Sequence, residues 1–257
     1  MEYRLLGKSN LQLSRIGFGC MSLKGEDKEI GELIQQALEA GINFFDTADI
    51  YDQGKNEETI GKWLKEKRKD VIIATKAGNQ IRKDGSGLDW NPRKEYILNA
   101  ADESLKRLQT DYIDLYQLHG GTINDPIDET IEAFVILKQQ GKIRYYGISS
   151  IRPNVIREYV KRSGIVSVMM QYSLLDRRPE ETCLSLLREN NIGVLARGPL
   201  AQGLLINKPA KEYLGYTTEE VSRAATAVQS LGTEQRNKTQ VAMRFVLQNT
   251  AITSAVV

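Results

Sequence analysis

From residue 15 to the end of the chain, short β-branched or aromatic runs alternate with longer stretches of helical period. Strands are expected at 15–19, 42–46, 71–75, 112–118, 143–148, 165–171, 192–196 and 252–257. The intervening segments carry helix signals. Ile30, Leu33, Ile34, Ala37 and Leu38 share a helical face that Gly41 ends, and a helix is expected at 57–66. Asn91-Pro92 reads as a cap and a first-turn proline ahead of Ile97, Ala101, Leu105 and Leu108. Asp125-Pro126 precedes Ile131, Phe134 and Leu137, with Gly141 as the stop; Pro153 and Pro179 open two further helices. Thr217 to Glu220 forms a capping box, and a last helix is expected at 237–248. Strict alternation demands a parallel sheet, and eight units is the number that closes into a (β/α)8 TIM barrel. A doubly wound sheet would carry G-x-G-x-x-G after its first strand, but Gly17-Phe18-Gly19-Cys20-Met21-Ser22 lacks the third glycine. Residues 3–6 and 11–13 around Gly7-Lys8-Ser9-Asn10 predict an N-terminal β-hairpin placed to plug the barrel bottom. No segment rich in Pro, Gly or Ser divides residues 1–257, so one barrel domain is expected.

Charge and cysteine usage narrow the function classes. Thirty-five basic against 33 acidic residues leave a formal +2, with no basic stripe to attract nucleic acid or a membrane surface. No signal peptide or uninterrupted apolar run of membrane-spanning length is present, so a soluble, cytoplasmic protein is expected. Cys20 and Cys183 lie far apart without metal-ligand or redox spacing and read as buried thiols. The single histidine, His119, excludes multi-histidine zinc sites, and any imidazole chemistry must use it.

In a βα barrel the C-terminal strand ends open on one face. Asp46 and Tyr51 follow the second strand, Lys76 the third and His119 the fourth, so all four are expected at one rim. Singly, each has a structural reading: a loop cap, a surface phenol, a solvated lysine, a core imidazole. Together they support proton donation to a carbonyl oxygen. Tyrosine is a weak acid, with a reference pKa near 10, and a neighbouring ammonium such as Lys76 is expected to lower it. Asp46 can pair with that ammonium, and His119 can orient the carbonyl. Hydride must then come from a bound cofactor.

These residues and their surroundings resemble the aldo-keto reductase superfamily, in particular its bacterial general-stress branch. The likeness runs through Gly17 to Ser22, Asn43 to Ala48, Tyr51, Asn56 to Gly61, Ala74-Thr75-Lys76, Ser104 to Leu108, Asp111 to His119, Gly147 to Ser150, Gln171 to Leu174 and Gly198 to Leu204. It implies a (β/α)8 barrel enzyme that reduces aldehydes or ketones with NADPH, with Tyr51 as general acid, Lys76 and Asp46 as its tuning pair and His119 orienting the substrate. It further implies that Ser149 and Gln171 bind the nicotinamide carboxamide and that Tyr172 stacks on the ring. Gly19 and Met21 would flank the cofactor, while Arg197, Gly198, Pro199, Leu200, Gln202 and Gly203 wrap the pyrophosphate. Trp90 is expected to wall the substrate site.

Two features depart from the pattern. Gly120-Gly121 stands where relatives follow the histidine with a bulky residue, which predicts a roomier pocket or a more mobile loop. The resemblance also implies a Gly-rich turn, 2′-phosphate-binding basic residues and a closing helix after the eighth strand, for which this sequence has no counterpart. NADP is therefore implied without a residue to carry it. Two other functions stay open at this level: a cofactor-binding regulatory subunit like the potassium-channel β subunits, and a Schiff-base aldolase using Lys76.

Overall fold

The computed structural model describes residues 1–82 and 84–257. β1 (Tyr3–Leu5) and β2 (Gln12–Ser14) pair antiparallel as a hairpin. Then follow β3 (Ile16–Gly19), α1 (Asp27–Glu39), β4 (Phe44–Asp46), α2 (Lys55–Leu64) and β5 (Ile72–Ala77). A second hairpin, β6 (Asn79–Ile81) with β7 (Leu88–Trp90), precedes α3 (Lys94–Leu108), β8 (Ile113–Leu118), α4 (Ile127–Gln139) and β9 (Ile143–Ser149). The chain continues through α5 (Pro153–Arg162), β10 (Ser167–Gln171), α6 (Pro179–Glu189), β11 (Gly193–Arg197), α7 (Thr218–Ser230), α8 (Lys238–Gln248) and β12 (Ile252–Val256).

β3, β4, β5, β8, β9, β10, β11 and β12 form a closed parallel barrel in chain order. Closure is made where Ala255 pairs with Ile16 and Val256 with Gly17. This is the (β/α)8 architecture that the alternation predicts. The N-terminal hairpin plugs the barrel: Leu6, Leu11 and Leu13 are buried against Phe44, Ile72, Leu115, Val166 and Leu195. Phe44 and Ile72 open their strands, which places the plug at the N-terminal end of the barrel. Each buried leucine stabilises this closure by about 1.5–3 kcal/mol. Gly7 makes the approach possible: its φ is +53°, and a Cβ there would lie 2.5 Å from the Val166 carbonyl oxygen.

Capping boxes open α1, α7 and α8. Thr217 accepts from the Glu220 amide while Glu220 reaches back, and Asn237 does the same with Gln240. Three local expectations are corrected. Leu33 is 47% exposed, because Ile30, Ile34 and Ala37 already complete the buried stripe of α1. α3 starts at Lys94, three residues after Asn91. The Asn91 side chain accepts from the Arg93 amide, and the Pro92 carbonyl accepts from Thr130 of α4, so this segment is a docked turn. No element is expected between residues 77 and 90, where the β6–β7 hairpin lies; its three-residue strands are too short and polar to show a period.

Candidate active site

Each barrel strand contributes its C-terminal end to one mouth. A cavity of about 780 Å³ opens there, lined by Gly19, Asp46, Lys76, His119, Ser149, Gln171, Arg197 and Val256. Each of these closes a barrel strand or lies within one residue of its end. Tyr51 joins them from the loop after β4, which is stitched in place. Thr47 and Asp49 amides donate to the β5 carbonyls of Ala74 and Lys76. Thr47 Oγ1 bonds to Asn56 Oδ1 at 2.6 Å, and Asn56 Nδ2 donates to the Cys20 carbonyl at 2.7 Å. Immediately after Tyr51, Asp52, Gln53 and Gly54 all have left-handed backbones, φ 46°, 54° and 91°. Strain of this kind, about 1–3 kcal/mol per non-glycine residue, persists only where the surroundings enforce it.

At the cavity floor Lys76 is almost fully buried. Its Nζ donates to Asp46 Oδ2 at 2.7 Å and to the Thr47 carbonyl at 2.6 Å, and lies 3.5 Å from the Tyr51 hydroxyl. Burial pulls the ammonium pKa down, but Asp46 and Tyr51 outweigh it and leave the pKa raised. Burial raises the Asp46 carboxyl against the pull of Lys76. Tyr51 departs from expectation. Burial raises its pKa by more than Lys76 lowers it, so the phenol keeps its proton more firmly than in water. His119 meets the Tyr51 ring edge-on at 6.0 Å between centroids. Its backbone is held by Ala77 and Asn79, and its Nδ1 is buried without a partner. Burial, then Lys76 and Arg197, hold its pKa down to about 3, so the imidazole is neutral. Both cysteines are free and buried.

Two residues before Tyr51, Asp49 is buried with one unpartnered oxygen. Burial, then the charge of Glu57, push its carboxyl up to about 7, against Arg107. The linkage has opposite signs for the two shifted groups. Folded Asp49 holds a proton that the unfolded chain has released above 3.8, so its contribution to stability is lost as pH rises towards 7. Folded His119 refuses a proton that the unfolded chain takes below 6.5, so its contribution is lost as pH falls towards 3. Asp49→Asn is therefore expected to be more stable than the wild type at pH 8, by about 1 kcal/mol or more. The gain should vanish near pH 4. Urea midpoints at both pH values check this, and a gain independent of pH would contradict it.

Gly19, Met21, Ser149, Gln171, Arg197, Gly198, Pro199, Leu200, Gln202 and Gly203 all line the cavity, as does the tetrad. Tyr172 does not. Side chains alternate along a strand, so where Met169 and Gln171 face the cavity, Tyr172 faces out. It packs on Phe245 of α8, and its hydroxyl donates to Glu180 at 2.8 Å. Stacking of Tyr172 on a ring in the cavity is thereby overturned. Trp90 is also absent from the lining. Its ring covers Gly120, where a Cβ would stand 3.2 Å from Trp90 at φ +141°, and its Nε1 donates to Asp125 at 3.0 Å. The space that Gly120 frees is thus taken by Trp90, one layer behind the cavity. Sequence reasoning missed Arg152, Ile151 and Tyr213, which line the cavity from loops. For Tyr213 no local pattern gives a signal.

Comparison with known proteins agrees with this fold. The profile described as Aldo/keto reductase family matches residues 15–257. The chain is 52% identical to an uncharacterized oxidoreductase, YqkF, of Bacillus subtilis (strain 168), over 100% of this chain and 86% of that protein. It is 34% identical to an NADH-specific methylglyoxal reductase of Escherichia coli (strain K12), over 81% of this chain and 70% of that protein. In three dimensions it is similar to the holo form of aldo-keto reductase AKR11C1 from Bacillus halodurans. The TM-score is 0.93 at 51% identity, covering 99% of this chain and 85% of the other. A closed barrel with a buried lysine–aspartate pair beneath a tyrosine, matched along nearly its whole length, places the chain in the aldo/keto reductase family of NAD(P)H-dependent oxidoreductases.

Proposed function

We propose that the chain reduces small aldehydes and ketones to alcohols with NADPH, using Tyr51 as general acid. The observation that carries this reading is the Lys76 ammonium, held by Asp46 at 2.7 Å and 3.5 Å from the Tyr51 hydroxyl on a cavity floor. A reduced nicotinamide, when bound, would supply the hydride for the carbonyl carbon. Tyr51 gives its proton to the carbonyl oxygen, and Lys76 offsets the negative charge left on the phenol. Asp46 holds Lys76 in place. Neutral His119 can donate a hydrogen bond to the same oxygen without competing for the proton, which fits its depressed pKa. Gly19 and Met21, which line the cavity, would flank the cofactor, and Ser149 and Gln171 would meet the carboxamide. Arg197, with Gly198, Pro199, Leu200, Gln202 and Gly203, would take the pyrophosphate.

The charge of the lining supports the phosphorylated coenzyme. Lys76, Arg152 and Arg197 face the cavity, and Asp46, among the described lining residues the one carboxylate, is occupied by Lys76. Loss of reduced-nicotinamide absorbance with an aromatic aldehyde tests both parts. We expect kcat/KM for NADPH to exceed that for NADH by about tenfold or more. A ratio of one or below would overturn the NADPH assignment, and no oxidation of either coenzyme across a carbonyl panel would overturn the reductase.

A further inference from the structure

Tyr213 lies 42 residues from Gln171, yet Gln171 Nε2 donates to its hydroxyl at 2.9 Å. On its other side, Gln171 Oε1 accepts from Arg197 Nη1 at 3.1 Å. A guanidinium has donors only, so the amide oxygen must face Arg197 and the amide nitrogen must face Tyr213. One N–H and one lone pair of the amide are left over, each in a defined direction. The tyrosine is itself held firmly. It is buried in a cluster with Leu175, Leu204, Leu205 and Val221, and its backbone exchanges hydrogen bonds with Tyr216 at 3.1 and 3.0 Å. Between them Leu214 and Gly215 have φ of 52° and 89°. Leucine in that left-handed region is unfavourable, a local strain that persists because the turn places Tyr213 over the cavity.

We propose that Tyr213 is a positioning residue that, with Arg197, locks the Gln171 carboxamide in one of its two orientations. Gln171 then distinguishes a carboxamide on a bound pyridine ring from groups of similar shape. This rests on the reading of the cavity as a nicotinamide site. Without the Tyr213 hydroxyl, Gln171 is tied at one end only, and its spare lone pair, the acceptor for the amide nitrogen that the acetyl group lacks, loses its fixed direction.

The test compares wild type and Tyr213→Phe, which keeps the ring and its packing. Three probes are titrated calorimetrically: NADP, its 3-acetylpyridine analogue, in which a methyl replaces the amide nitrogen, and 2′-phospho-ADP-ribose, which has no pyridine ring. Wild type is expected to prefer NADP over the analogue. In Tyr213→Phe, NADP should weaken about five- to tenfold, while the two other probes stay within about twofold, so that the preference collapses. A merely structural loosening of the loop would weaken all three together, and that result overturns the proposal. Unchanged NADP affinity with the preference intact overturns it as well, while leaving the nicotinamide site standing. If wild type binds 2′-phospho-ADP-ribose and NADP with equal affinity, the pyridine ring finds no site and both readings fall.

Discussion

Tyr51→Phe is expected to lose about two to four orders of magnitude in kcat while binding NADPH within about twofold of wild type. The substitution removes one oxygen and little else. The ring remains to meet His119 edge-on and to lie under Lys76 Nζ, 5.1 Å from its centroid. Lys76 keeps its short bonds to Asp46 and the Thr47 carbonyl, so its ammonium stays paired. What disappears is the hydroxyl that supplies the proton. His119, with a pKa near 3, is neutral at pH 7 and a poor substitute acid. Stopped-flow absorbance with an aromatic aldehyde and fluorescence titration of NADPH separate the two quantities. A kcat within about tenfold of wild type would remove Tyr51 from the role of general acid.

Asp114→Ala is expected to destabilise the fold by about 3–5 kcal/mol, lowering Tm by roughly 10 °C. Asp114 is fully buried in β8, pairs with Arg68 at 2.8 Å and Arg144 at 2.7 Å, and accepts from the Ile73 amide at 3.0 Å. Arg68 is nearly buried too, with its guanidinium 4.0 Å above the Tyr112 ring. Removing the carboxylate leaves that cation without its counter-charge in a low-dielectric setting. The exposed pair Arg82–Asp89, also 2.7 Å long, is the control. Asp89→Ala should shift Tm by less than about 3 °C, because a solvated pair contributes at most about 1 kcal/mol. Calorimetric melts of both variants decide this, and equal shifts would contradict it.

Much of this architecture was legible because it is written in short-range chemistry. Pro153 and Pro179 at first turns, Gly41 and Gly141 past helix ends, and the Thr217–Glu220 box act within one turn of chain and keep their meaning in any context. Tyr172 was misplaced although a signal was available, since an inward Gln171 implies an outward neighbour on a strand of period two. Trp90 and Gly120 each stand out in the sequence, but that one fills the space left by the other depends on a hairpin too short to announce itself.

The sequence by itself determined the eight βα units, and with them the placing of Asp46, Tyr51, Lys76 and His119 at one rim. Parallel strands in a closed barrel must bring their C-terminal ends together whatever the loops do. Only the tertiary structure decided the balance of forces among those residues. How far burial raises the Tyr51 phenol against Lys76 depends on what the packed barrel excludes from water, which no local pattern records. The joining of Tyr213 to Gln171 is of the same kind. It is a contact across 42 residues, made where a strained loop turn meets a strand end.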